Sequence, residues 1–204
     1  MDDPTNEREL RDRLRLIEHM IAEGRRTTER WGWTFVLWGV AFYAALAWSQ
    51  RGQSAWAWPV TMIVAGILTG AIASRSAGGR PATTLGRAIN AIWAALGITM
   101  FLLFFALGAG GRLADPHVFF AAASAFLGMA NGASGLLLRW KAQLGCAVIW
   151  WVAAIACSFG SAAWSTAVFL GAILLGLIVF GIYCMAAEAG GRKRRQPQAG
   201  PAHV

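Results

Sequence analysis

The stretch at 118–138, VFFAAASAFLGMANGASGLLL, decides the fold. It carries no charged side chain over 21 residues, and roughly 17–25 apolar residues are what a helix needs to cross hydrocarbon. Its centre, GMANGASG at 128–135, puts an asparagine, a serine and three glycines where a helix surrounded only by lipid would carry bulky apolar residues. Hydrocarbon offers helices no hydrophobic drive to associate, so they meet through close packing and polar contacts. Gly128 and Gly132 form a GxxxG, and Ala121, Ala125 and Gly135 continue it at helical spacing into one smooth ridge. The stretch reads as a membrane-spanning helix with a packing face.

The rest of the chain follows the same rule. Of its 204 residues 57% are hydrophobic and only 14% charged, against about a quarter charged in soluble domains. Five more apolar runs lie at 31–48, 58–74, 88–107, 144–159 and 164–187, the run at 144–159 being the shortest. Pro59 and Pro116 fall where first helical residues belong, with Asp115 placed to cap the helix after it. The first run starts behind an acid-rich arm and is longer than a signal-peptide core, so it is expected to stay as a span. The fold expected is an all-α integral membrane protein. Six transmembrane helices in three consecutive hairpins occupy 31–187, a cytoplasmic amphipathic helix precedes them at 1–30, and a basic tail follows at 188–204.

Charge orients the bundle. Counting lysines and arginines on alternate sides of the six runs places sixteen with the termini and only Arg51 and Arg112 opposite. Positively charged flanks stay cytoplasmic, so both ends are expected inside and the chain in the plasma (inner) membrane, as in many small bacterial membrane proteins. Trp31, Trp33 and Trp140 fall at inner boundaries and Trp48, Trp56, Trp58 and Trp164 at outer ones, the depth that indole favours. Trp150 and Trp151 lie mid-span, so one of them should meet lipid or a groove. The net charge of +8 is explained by these flanks, and with no nucleic-acid motif beside it no nucleic-acid partner is expected.

Alternate runs differ. Odd ones are rich in bulky aromatics, and even ones in small residues, which suggests a parallel repeat of two-helix units. Gly66 and Gly70 repeat the GxxxG device in the second run, and Gly171 lies four residues after Ala167 in the sixth. All these glycines are expected at helix–helix contacts. Asn131 should hydrogen-bond to a neighbouring helix, because an unpaired amide in hydrocarbon is costly. Ser124 and Ser134 can bond to carbonyls of their own helix. The alternative for Asn131 is a polar contact along a solute path.

No acid or base lies inside a run, which disfavours proton-coupled transport. His117 sits at the outer end of the fourth run, where facing water is the simpler expectation. Cys146, Cys157 and Cys184 have no metal-ligand spacing, no phosphate loop or nucleophile motif occurs, and no metal, cofactor or enzymatic activity is expected.

The arm carries the clearest polar pattern. Asn6 with Glu9 resembles a capping box, and Leu10, Leu14, Ile17 and Ile21 recur at 4-3-4 spacing, widened by Leu16 and Met20. Glu7–Arg11 and Glu9–Arg13 are favourable pairs one turn apart. Gly24 then interrupts the stripe. With eight acids and seven bases, the arm is poorly suited to a purely electrostatic membrane anchor, so docking under the bundle, a protein partner or a second copy is expected. The tail beyond its basic cluster is expected to be disordered. Together these features suggest a non-enzymatic structural, accessory or regulatory component in the lipid bilayer. The alternative is a transporter or channel for a small neutral or lipophilic solute.

Overall fold

The computed structural model describes residues 4–52, 56–76, 84–110 and 115–195, and all the regular structure among them is helical. In chain order the helices are α1 (Pro4–Arg30), α2 (Gly32–Gly52), α3 (Ala57–Ser76), α4 (Thr84–Ala109), α5 (Pro116–Leu137), α6 (Lys141–Cys157), α7 (Ala162–Ile173) and α8 (Phe180–Arg195). A π-helical segment, Leu174–Val179, joins α7 to α8 in one continuous rod.

Five helices are long and apolar enough to cross a membrane: α2, α3, α4, α5 and the α7–α8 rod. The remaining apolar helix, α6, has 17 residues, about 25 Å at 1.5 Å per residue. Asp115 caps α5 as expected, its carboxylate accepting from the His117 amide at 2.9 Å, with Pro116 at the first helical position. Two starts differ from expectation. Helix α3 begins at Ala57, so Pro59 is its third residue, which is tolerated because first-turn amides have no partner within the helix. Helix α1 begins at Pro4, which puts Asn6 inside the first turn rather than at a cap. It also runs straight through Gly24.

The most extensive packing joins α5 to α6, across the boundary that the compositional alternation drew between two hairpins. The ridge explains it. A Cβ on Gly128 would overlap the Trp151 indole, one on Gly132 would lie 2.8 Å from Trp151 Cζ2, and one on Gly135 would lie 3.0 Å from the Leu144 side chain and its amide. Trp151 thus lies along the ridge with its outer surface 43% exposed, whereas Trp150 is wholly buried. On its own side Trp150 meets the rod, where a Cβ on Gly176 would sit 2.5 Å from the indole Nε1. The wider π turn leaves carbonyls in need of donors, and Cys146 Sγ donates to Gly176 O at 3.1 Å.

Helix α2 packs against α3 and the rod. Its approach to α8 is backbone-close: a Cβ on Gly32 would lie 2.8 Å from Gly181 O, and one on Gly181 would lie 2.7 Å from Gly32 O. Tyr43 of α2 also donates its hydroxyl to Leu170 O of α7 at 2.9 Å. Aromatic rings fill the space between α2, α3, α4, α5 and α7: Trp58 on Phe119 at 4.7 Å, Phe104 on Phe119 at 4.5 Å, and Phe120 stacked on Phe169 at 4.6 Å. Two tryptophans expected at boundaries are packed against other rings, Trp58 half-buried here and Trp140 buried against Phe180. By contrast α3 and α4 turn most of their apolar surface outward, as with Ile67, Phe101 and Phe105.

Candidate functional site

Helix α1 lies at one end of the bundle, against α8 and α4. There α5 ends in a Schellman turn: the Arg139 amide donates to Leu136 O and the Trp140 amide to Gly135 O. The residue that must turn left-handed in this motif is usually glycine, yet here it is Arg139, at φ 48°. Onto this turn α1 docks. Gly24 is the closest approach, since a Cβ there would lie 2.6 Å from Leu138 Cδ2 and 2.9 Å from Leu85 Cδ2. The glycine that seemed to interrupt the stripe is thus one of the places where the arm touches the bundle.

Arg25 locks the contact. Its Nε donates to Leu138 O at 2.9 Å and one Nη donates to Arg139 O, so one guanidinium holds two carbonyls at the end of α5. Thr28 Oγ1, buried, donates to Gly24 O at 3.2 Å, and Arg30 pairs at 4.0 Å with Glu188 of α8. Desolvation by burial pushes the Glu29 carboxyl above its ordinary value, against the opposing pull of Arg26 and Arg25 and with a further push from Glu188.

Above this base α1 leaves the bundle. Leu10, Leu14 and Ile17 are 59%, 53% and 53% exposed, and Ile21 is half-buried. Leu16 is exposed as well, and Met20 half-buried. The expected Glu9–Arg13 pair forms at 2.5 Å, and Arg15 approaches Asp12 at 3.6 Å. The Glu7 side chain lies outside the described residues.

Within the bundle the sequence-selected polar residues are all fully buried, but not as expected. Asn131 Nδ2 donates to Leu127 O of its own helix at 2.9 Å rather than to a neighbour, and its Oδ1 has no partner among the described residues. Ser124 and Ser134 hydroxyls likewise have none, so the self-helix bonds expected of them are not made. Gln143 of α6, which was not among the residues singled out in the sequence, is fully buried, and neither of its amide atoms has a partner among the described residues. Only its place in a short apolar helix could have signalled it.

The glycines divide. Gly128, Gly132 and Gly135 sit against α6, whereas a Cβ on Gly66, Gly70 or Gly171 would meet nothing within 4 Å among the described residues. The contacts that Gly32, Gly39 and Gly181 make between α2 and the rod were missed. Gly32 and Gly39 are seven apart, a spacing that could have shown them. His117 is not simply water-facing: its Nδ1 lies 2.9 Å from Cys157 O and 2.7 Å from Ser165 Oγ, tying the ends of α5, α6 and α7 together. A carbonyl can only accept, so the bond to Cys157 O requires the proton on Nδ1. Ser165 Oγ in turn donates to Cys157 O at 3.0 Å. The hydroxyl is buried and lies within hydrogen-bond distance of the Cys157 and Ser161 carbonyls as well as the His117 ring.

Among the described residues no group of three or more His, Cys, Asp or Glu could hold a metal ion. The residues 196–204, where the tail was expected to be disordered, lie outside the described ones, and α8 runs through the basic cluster to Arg195. No protein-family model, curated protein or solved structure matches the chain, so its site stands on its own geometry.

Proposed function

We propose that this chain is a non-enzymatic component of the inner membrane that crosses it six times, keeps both termini in the cytoplasm, and uses α1 as a fixed arm for a helical protein partner. The arm carries this reading. Its base is bolted by Gly24 and Arg25, while Leu10, Leu14 and Ile17 stand exposed beyond it. Each leucine-sized side chain withdrawn from water gains about 1.5–3 kcal/mol, so three of them suffice for a modest, reversible association. An arm rigid at its root loses less freedom on binding than a free tail would. Helix α6, short as it is, completes the sixth crossing because α5 and the rod flank it.

The test is site-directed crosslinking in native membranes through a photoreactive residue at position 14. A discrete adduct that disappears with Leu10→Asp/Ile17→Asp is expected. Recovery of the uncrosslinked monomer alone would rule the reading out.

A second reading, passage of a small neutral or lipophilic solute, has one observation behind it. Asn131 Oδ1, Ser134 Oγ and the Gln143 amide are buried without partners on α5 and α6. Against it stand the complete burial of Asn131 and the Trp151 ring that covers the adjoining ridge. Proteoliposomes whose permeability to uncharged solutes equals that of empty vesicles would end it.

A further inference from the structure

Where the arm meets the α5–α6 turn lies a cavity of about 380 Å³, lined by Arg25, Arg139, Lys141, Trp140 and Tyr183 together with Ala142. We infer that it is a binding site for a phosphate-bearing anion, the headgroup of an anionic lipid in the leaflet on the arm's side.

Four observations converge. Among the described residues three cations and no carboxylate line the cavity, and neither Arg139 nor Lys141 is paired with an acid. Arg25 spends Nε and one Nη on carbonyls, which fixes its guanidinium plane beside the cavity with N–H groups to spare. Helix α6 begins at Lys141 with no side-chain cap from Trp140, so its first-turn amides, at the lining residues Lys141 and Ala142, add the positive end of a helix to the same wall. Arg139 holds its guanidinium here although its backbone is left-handed, where glycine would be free of strain.

The aromatic lining decides the kind of anion. Tyr183 and Trp140 lie tilted against each other, their ring centres 6.3 Å apart, beside the end of the apolar rod. Amphipathic rings of this type mark the headgroup level of a bilayer, where a lipid phosphate meets the cations while its chains run down the exposed apolar faces. Because Arg25 serves both the cavity and the arm's anchor, an occupied cavity holds α1 more firmly. The site rests on the cavity and is independent of what binds the stripe of α1.

Full-length protein in detergent, examined by native mass spectrometry, tests this with phosphatidylglycerol, zwitterionic phosphatidylcholine and inorganic phosphate as probes. The wild type is expected to retain one phosphatidylglycerol in preference to phosphatidylcholine. Arg139→Gln/Lys141→Gln should weaken retention about 30-fold, the factor equivalent to roughly 1 kcal/mol for each of two basic residues near a lipid surface. Arg139→Lys/Lys141→Arg should restore most of it, which separates lost binding from lost folding. Arg75→Gln/Arg87→Gln, removing equal charge elsewhere at the same end, should leave it unchanged. Displacement of the lipid by millimolar inorganic phosphate would support the phosphate site while assigning a soluble ligand; resistance to it supports the headgroup. Equal loss in the two neutralised variants, or equal retention of both lipids by the wild type, would overturn the inference.

Discussion

Gly181→Ala is the sharpest perturbation the structure offers. The added methyl would lie 2.7 Å from Gly32 O, 2.8 Å from Val36 Cγ2 and 3.0 Å from Phe35 Cβ. None of these atoms is the free end of a long side chain, so rotamer changes cannot relieve the overlap and α2 must move off α8. Restoring ordinary contact needs a separation of roughly 0.5–1 Å, enough to forfeit a quarter to a half of each dispersion contact across the interface. Overpacking of this kind costs about 1–3 kcal/mol, while alanine's better helix propensity returns at most about 1 kcal/mol. A net loss of about 0–2 kcal/mol follows, toward the upper end because no rotamer change relieves the overlap. Reversible unfolding in mixed micelles, with sodium dodecyl sulfate as denaturant, measures it. Gly66→Ala and Gly70→Ala serve as controls, since a methyl there meets nothing within 4 Å among the described residues, and they should be neutral or slightly stabilising. Gly32→Ala/Gly181→Ala should cost less than the sum of its single changes, because both widen one gap. Wild-type stability in Gly181→Ala, or a comparable loss in Gly66→Ala, would refute the reasoning.

The ridge on α5 gives a related prediction: Gly128→Ala should destabilise by about 1–2 kcal/mol, and adding Trp151→Ala should recover much of that loss in the same unfolding assay. Arg25→Gln should leave the spans intact but free the arm, seen as faster amide exchange across residues 20–30 with little change from 118 to 137. Glu29 supplies a pH dependence. Its carboxyl is raised above the ordinary value of 4.5, so its contribution to docking is fully present below that value and is lost as pH rises through the raised one. Glu29→Gln should therefore raise the melting temperature relative to wild type at pH 7, and by less at pH 4. Arg139→Gly, which relieves a left-handed arginine, should stabilise the bundle by up to about 1 kcal/mol while weakening anionic-lipid retention about 5-fold.

Much of this architecture is legible in one sequence because lipid imposes a simple rule on it. A helix that spans hydrocarbon must be apolar over its whole length, so the runs at 31–48, 58–74, 88–107 and 164–187 stand out by composition alone. What composition leaves open is which face meets which neighbour. Gly66–Gly70 and Gly128–Gly132 are the same motif, yet one looks outward and the other receives Trp151; nothing within either run distinguishes them. The α2–α8 crossing depends on Gly32 and Gly181, which are far apart in the chain, and only the seven-residue spacing of Gly32 and Gly39 hints at it. Gly24 shows the opposite failure, where low helix propensity suggested a break and tertiary contact with Leu138 and Leu85 overrode it. The cavity was invisible for a related reason: Arg25 and Arg139 are brought together by the docking of α1, and Arg139 stands where the turn's usual glycine signal is absent.

Sidedness is tested most directly by single cysteines at positions 10, 141, 56, 110 and 159, labelled in intact cells with a membrane-impermeant maleimide; the three native cysteines are buried. Six crossings with both ends inside require labelling at 56, 110 and 159 in intact cells, and at 10 and 141 only after permeabilisation. Protection of position 159, or labelling of position 10 from outside, would contradict the sixth span or the cytoplasmic arm.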